Sequence, residues 1–106
     1  RILRLEQIYP FPSKTLKEML SKTPSAEIVW CQEEPKNMGA WFFVDRRIEQ
    51  VLIDIKAKLS RPIYVGRSEA ASPATGSFSR HNKEQNDLVN DALELITKKA
   101  SRHAAE

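Results

Sequence analysis

Trp41, Val44, Ile48, Val51, Leu52, Ile55 and Leu59 recur at i, i+3 and i+4 spacing, so residues 41–59 predict an amphipathic helix with one face that must be covered. Just upstream, Glu27-Ile28-Val29-Trp30-Cys31 reads as a short buried strand, too brief for a helix and rich in β-branched and aromatic residues. The polar stretch between them is a strand-to-helix loop. This order commits the chain to packing a helix against a sheet, and in parallel sheets such loops gather at the carboxyl edge of the strands, where ligands and partners are met.

The rest of the chain extends the alternation. Residues 2–7 predict a first strand, closed off by Pro10 and Pro12, and Ser13 is expected to cap a short helix carrying Leu16, Met19 and Leu20 on one face. Thr23-Pro24-Ser25 breaks that helix. Pro62-Ile63-Tyr64-Val65 predicts a third strand, and Leu88, Val89, Ala92, Leu93 and Ile96 predict a last helix starting between Ser79 and Asn82. Strands alternating with helices imply parallel pairing through right-handed crossovers. The expected fold is α/β, a three-layer α/β/α sandwich with a small, mostly parallel sheet over residues 1–97, followed by a frayed basic tail over 98–106. The chain opens without methionine inside a predicted strand, so a piece cut from something longer is expected.

Composition narrows the function classes. At 106 residues there is room for one modest core. The net charge is +3, and Lys98, Lys99 and Arg102 against Glu106 place +2 of it in the tail. A nucleic-acid surface needs basic residues spread over a folded face, so that class is set aside. No segment has the length of a membrane span. The single Cys31 cannot form an internal disulfide and is expected to be a buried free thiol.

Catalytic chemistry has little to build on. Adjacent carboxylates on an extended chain point to opposite sides, so Glu33 and Glu34 cannot act together as an acid/base pair. One of them is expected to form an at least partly buried loop-to-loop ion pair with Arg67, with Lys36 the other available cation. The segment from Ser68 to Ser77 resembles a phosphate loop superficially, yet it lacks both the Gly-Lys-Ser/Thr end of a P-loop and a G-x-G-x-x-G pattern. His81 is expected at the first turn of the last helix as an anchoring residue, and His103 lies in the tail. No Cys or His pair has metal-ligand spacing. Trp30, Trp41, Phe42 and Phe43 are expected to be core and interface bulk.

Three blocks in order carry a family resemblance: Arg4-Leu5-Glu6-Gln7-Ile8-Tyr9-Pro10-Phe11-Pro12, then Gln32-Glu33-Glu34-Pro35-Lys36-Asn37-Met38-Gly39-Ala40-Trp41, then Tyr64-Val65-Gly66-Arg67 followed by Ala71-Ser72-Pro73-Ala74-Thr75-Gly76. The chain resembles the C-terminal domain of the thiamine-dependent first component of 2-oxoglutarate dehydrogenase, which is transketolase-like in fold. The wording of the second block favours this branch over pyruvate-type or transketolase relatives, and a freestanding α/β binding module is the remaining alternative.

The resemblance implies a non-catalytic, dimer-contact and regulatory domain, truncated at its N-terminal strands. Its parent would be an oxidoreductase of the tricarboxylic acid cycle that decarboxylates 2-oxoglutarate and passes succinyl to lipoamide. Thiamine diphosphate and magnesium would be held in other domains of that parent, since the Gly-Asp-Gly and Asn pattern for them is missing here. Implied partners are the rest of the parent chain, a homodimer mate, a lipoyl-bearing succinyltransferase and dihydrolipoamide dehydrogenase, in bacterial cytoplasm or else mitochondrial matrix. Glu33, Glu34, Lys36 and Arg67 form the loop signature. Some relatives bind acetyl-CoA with a glutamine at the position of Gln7 and two basic residues where Lys14 and Thr15 stand, and Thr15 breaks that pattern. Weak or absent acetyl-CoA binding is expected, and no residue is assigned to catalysis, cofactor or metal.

Overall fold

A computed structural model describes residues 1–71 and 83–94. Its elements run α1 (Ser13–Leu20), β1 (Val29–Cys31), α2 (Trp41–Asp54), β2 (Ile63–Val65) and α3 (83–94). β1 and β2 pair as a two-stranded parallel sheet, so the chain is a small α/β protein. The expected first strand is absent: residues 2–7 have no strand partner among the described residues, and Ile2 is 83% exposed. An extended segment becomes a strand only when a neighbour takes its backbone donors and acceptors. The two observed strands are also shorter than expected, beginning at Val29 and Ile63.

The chain divides into two compact units, one formed by Arg1–Ile28 with Ala40–Ile63 and the other by Val29–Gly39 with Tyr64 onward. In the first, α1 packs on α2, and Leu20, Trp41, Val44, Ile48, Val51 and Leu52 are buried. This is the stripe read from the sequence as far as Leu52. Lys17 Nζ reaches Asp54 Oδ2 at 2.8 Å, tying the two helices together at a half-exposed ion pair. The Lys17 ammonium first, and then the Gln50 amide at 2.8 Å, hold the Asp54 carboxyl below its ordinary pKa.

Both helix ends depart from expectation for identifiable reasons. Ser13 does not cap α1. Leu16 N–H already bonds Pro12 O at 3.0 Å, so the ladder starts from Pro12 and Ser13 sits inside the first turn. α2 stops at Asp54 rather than running to Leu59, which is 42% exposed. Lys56 adopts φ 55°, Lys56 N–H bonds Ile53 O at 3.0 Å, and Ala57 N–H bonds Leu52 O at 2.9 Å. Those two bonds across a left-handed residue are a Schellman ending, formed here without the usual glycine. The Tyr9-Pro10 peptide is cis.

In the second unit Val65, Leu88 and Pro35 are buried, and with them the polar side chain of Gln32. On α3, Val89 and Leu93 are 44% and 48% exposed, so only part of the expected apolar set faces inward. The predicted start of this helix, Ile96, and the tail over 98–106 lie outside the described residues. Among the described residues no helix is long and apolar enough to cross a membrane.

Candidate functional site

The loop that follows β1 is organised around the Gln32 side chain. β1 places Gln32 inward, where its Nε2 donates to the carbonyl oxygens of Met38 at 2.8 Å, Pro35 at 3.0 Å and Glu34 at 3.2 Å. Its Oε1 accepts from Trp30 Nε1 at 2.8 Å. One amide therefore satisfies backbone groups that a turning loop leaves without helix or strand partners. Gly39 completes the turn at φ 66°, and a Cβ there would stand 2.9 Å from Glu34 Oε2 and 3.1 Å from Gln32 Nε2. Both the left-handed conformation and the close approach of the amide demand glycine.

A second loop, after β2, is stitched to the first by neutral hydrogen bonds. Lys36 N–H donates to Arg67 O at 3.0 Å. Asn37 and Ala70 exchange two bonds, Nδ2 to Ala70 O at 3.0 Å and Ala70 N–H to Oδ1 at 3.1 Å, so the Asn37 amide mimics a strand partner. Tyr64 hydroxyl donates to Arg67 O at 2.8 Å, folding its ring back over Gly66, where any Cβ would collide with the phenol. Desolvation, the main cause, pushes the Tyr64 pKa up. Lys36 Nζ lies 5.7 Å from the centroid of the same ring, a cation–π contact.

The expected ion pair between Arg67 and Glu33 or Glu34 is not formed. Glu33 and Glu34 are both exposed, and Arg67 instead approaches Glu84 of α3, Nη1 to Oε2 at 3.7 Å. Solvent removes the reason for either loop carboxylate to turn inward, while α3 brings Glu84 to the guanidinium. Glu33 Oε1 accepts from Gln85 Nε2 at 3.4 Å. Cys31 is exposed rather than buried, because it closes a strand too short to bury both its faces. Partial desolvation still raises its thiol pKa.

Gln7 and Lys14 are both exposed and lie in the other unit. Gln7 Nε2 bonds Tyr9 O at 3.2 Å, and Lys14 is the second residue of α1, a helix start with no side-chain cap and no acidic residue in its first turn. Of the aromatic group, Trp41 is buried, Trp30 and Phe43 are half-buried, and Phe42 is 61% exposed. His81, His103 and residues 72–77 of the small-residue loop lie outside the described residues. Among the described residues no group of three or more His, Cys, Asp or Glu side chains could hold a metal ion. The central part of Gln32 is not evident from residue type alone; its signal in the sequence is an amide directly after an apolar strand and ahead of a Pro and a Gly.

The comparisons with known proteins agree with this picture of a small domain. A family model described as 2-oxoglutarate dehydrogenase C-terminal matches residues 1–93. The 2-oxoglutarate dehydrogenase E1 components of Brucella anthropi, Brucella ovis and Brucella canis are each 55% identical over 92 residues, 87% of this chain. The matched region is 9% of the length of those relatives. With the strand, the glutamine-centred loop and the long helix all inside the matched region, the chain belongs to the 2-oxoglutarate dehydrogenase C-terminal domain family.

Proposed function

We propose that the chain works as a non-catalytic terminal domain of a 2-oxoglutarate dehydrogenase E1 component, supporting subunit contacts while other domains hold thiamine diphosphate and magnesium. The observation that carries this reading is 55% identity to E1 components over 92 residues. In the parent, 2-oxoglutarate would be decarboxylated and succinyl passed to a lipoyl arm, chemistry that the cofactor supplies and the protein positions. The same reading gives the chain a three-layer, transketolase-type setting, with the domain over 1–97 and a tail over 98–106. Its partners would be a homodimer mate, a lipoyl-bearing succinyltransferase and dihydrolipoamide dehydrogenase. Bacterial relatives support a cytoplasmic site.

The loop signature Glu33, Glu34, Lys36 and Arg67 serves, in this reading, to fix the two loops for contact with the parent's other domains. Gln7 and Lys14 form at most a weak acetyl-CoA site, because a single cation faces a multiply charged nucleotide. Calorimetry of the 106-residue chain with thiamine diphosphate and magnesium tests the central claim, and saturable binding would overturn it. Removing the region matched by residues 1–93 from a full-length E1 component is expected to abolish its dimerisation. Titration of that enzyme and its Lys14→Ala variant with acetyl-CoA tests the effector site, with salt-sensitive binding lost in the variant the supporting result.

A further inference from the structure

Arg67 is poorly matched by its surroundings. Its side chain is 10% exposed, its Nη1 stands 3.7 Å from Glu84 Oε2, and its Nε is buried without a hydrogen-bond partner. A separation of 3.7 Å lies outside hydrogen-bonding distance, so the Nε donor is held away from water without a partner and the Glu84 carboxylate does not supply one to Nη1. A desolvated cation in this state is costly. On α3, next to Glu84, Gln85 Oε1 is buried and unpartnered, and Gln85 Nε2 reaches Glu33 Oε1 at 3.4 Å. Lys36, whose backbone N–H bonds Arg67 O, brings a second cation to the same pair of loops.

We propose that Arg67 is an oxyanion receptor, taking the oxygens of a carboxylate or a phosphate on its Nε and Nη donors, and that Glu84 is the internal competitor that sits against it when no anion is bound. A guanidinium presents its N–H groups in a planar fork that matches two oxygens at once, and the buried Nε is half of that fork. Glu84 is the natural gate. Its side chain is 28% exposed, and the guanidinium loses no hydrogen bond when that carboxylate turns away. Gln7 and Lys14 belong to the other unit.

Backbone-amide NMR of the 106-residue chain, titrated with inorganic phosphate in one arm and acetate in the other at constant ionic strength, tests the proposal. Saturable shifts are expected at Lys36, Ser68 and Glu84, and the anion that saturates first identifies the ligand chemistry. Arg67→Gln is expected to weaken binding about 10- to 100-fold, the value of one charge-assisted hydrogen bond. Glu84→Gln is expected to tighten it roughly two- to fivefold by removing a partly exposed competing charge. Lys14→Ala is expected to leave it unchanged. If Arg67→Gln loses its dispersed spectrum, Arg67→Lys is read instead, and binding as tight as in the parent chain overturns the proposal. So does an absence of saturable shifts in both the parent chain and Glu84→Gln, or a response confined to the start of α1.

Discussion

The unit built on α1 and α2 and the unit built on β1, β2 and the loops after them are held by different physics. The first buries Leu20, Trp41, Val44, Ile48, Val51 and Leu52, apolar side chains whose contribution follows the area removed from water. Among the described residues of the second, an amide is buried beside Val65, Leu88 and Pro35, and the loop carbonyls are satisfied through it. Apolar packing accepts substitutes of similar volume. A hydrogen-bond hub does not, because each group it abandons stays buried and unpaired. The consequence is a helical unit that constrains volume and a loop unit that constrains chemistry.

The largest expected effect breaks the first half of the comparison. Leu52→Ala, at a side chain 2% exposed, is expected to destabilise the chain by about 2–5 kcal/mol in urea unfolding followed by circular dichroism. Leu52→Met should cost less than about 1.5 kcal/mol, because it keeps the volume. The counterpart in the loop is Gln32→Met, which keeps length and loses the donors and acceptor. An expected loss of about 1–3 kcal/mol, larger than that of Leu52→Met, would set the two units apart. Equal losses would show that the loop is held by packing after all.

Two smaller effects sharpen the contrast within the helical unit. Lys56 pays for its left-handed backbone with steric strain that glycine avoids, so Lys56→Gly is expected to raise stability by about 1 kcal/mol, read from the urea midpoint. Asp54 has a lowered pKa, so its contribution is present above the ordinary carboxylate value and is lost as pH falls through the folded value. Stability should therefore drop on acidification below about pH 4. Lys17→Met, which removes the main cause of the shift, is expected to flatten that part of the profile. A profile that keeps its slope would place the acid sensitivity at other carboxylates.

Much of the helical unit was legible because periodicity reports burial directly. The stripe from Trp41 to Leu52 and the face carrying Leu16, Met19 and Leu20 came from spacing alone, and both helices formed there. The end of α2 was not legible, since Ile55 and Leu59 continue the rhythm while Lys56 turns the backbone into a conformation that sequence associates with glycine. The loop site was legible in position, between β1 and α2, but not in wiring. Charge attraction pointed to Arg67 with Glu33 or Glu34, whereas the observed links are an asparagine pairing with Ala70, a tyrosine hydroxyl and the backbone of Lys36.

The sequence by itself determined the order of elements from α1 onward, the face α2 would bury and the family to which the wording of the loops belongs. These follow from local spacing and residue identity. Tertiary structure alone decided that residues 2–7 form no strand, that Gln32 is the hub of its loop and that Arg67 approaches Glu84 across 17 residues of sequence. Strand formation depends on a hydrogen-bonded neighbour, and the partner of a buried polar group depends on which distant backbone the fold brings within about 3 Å.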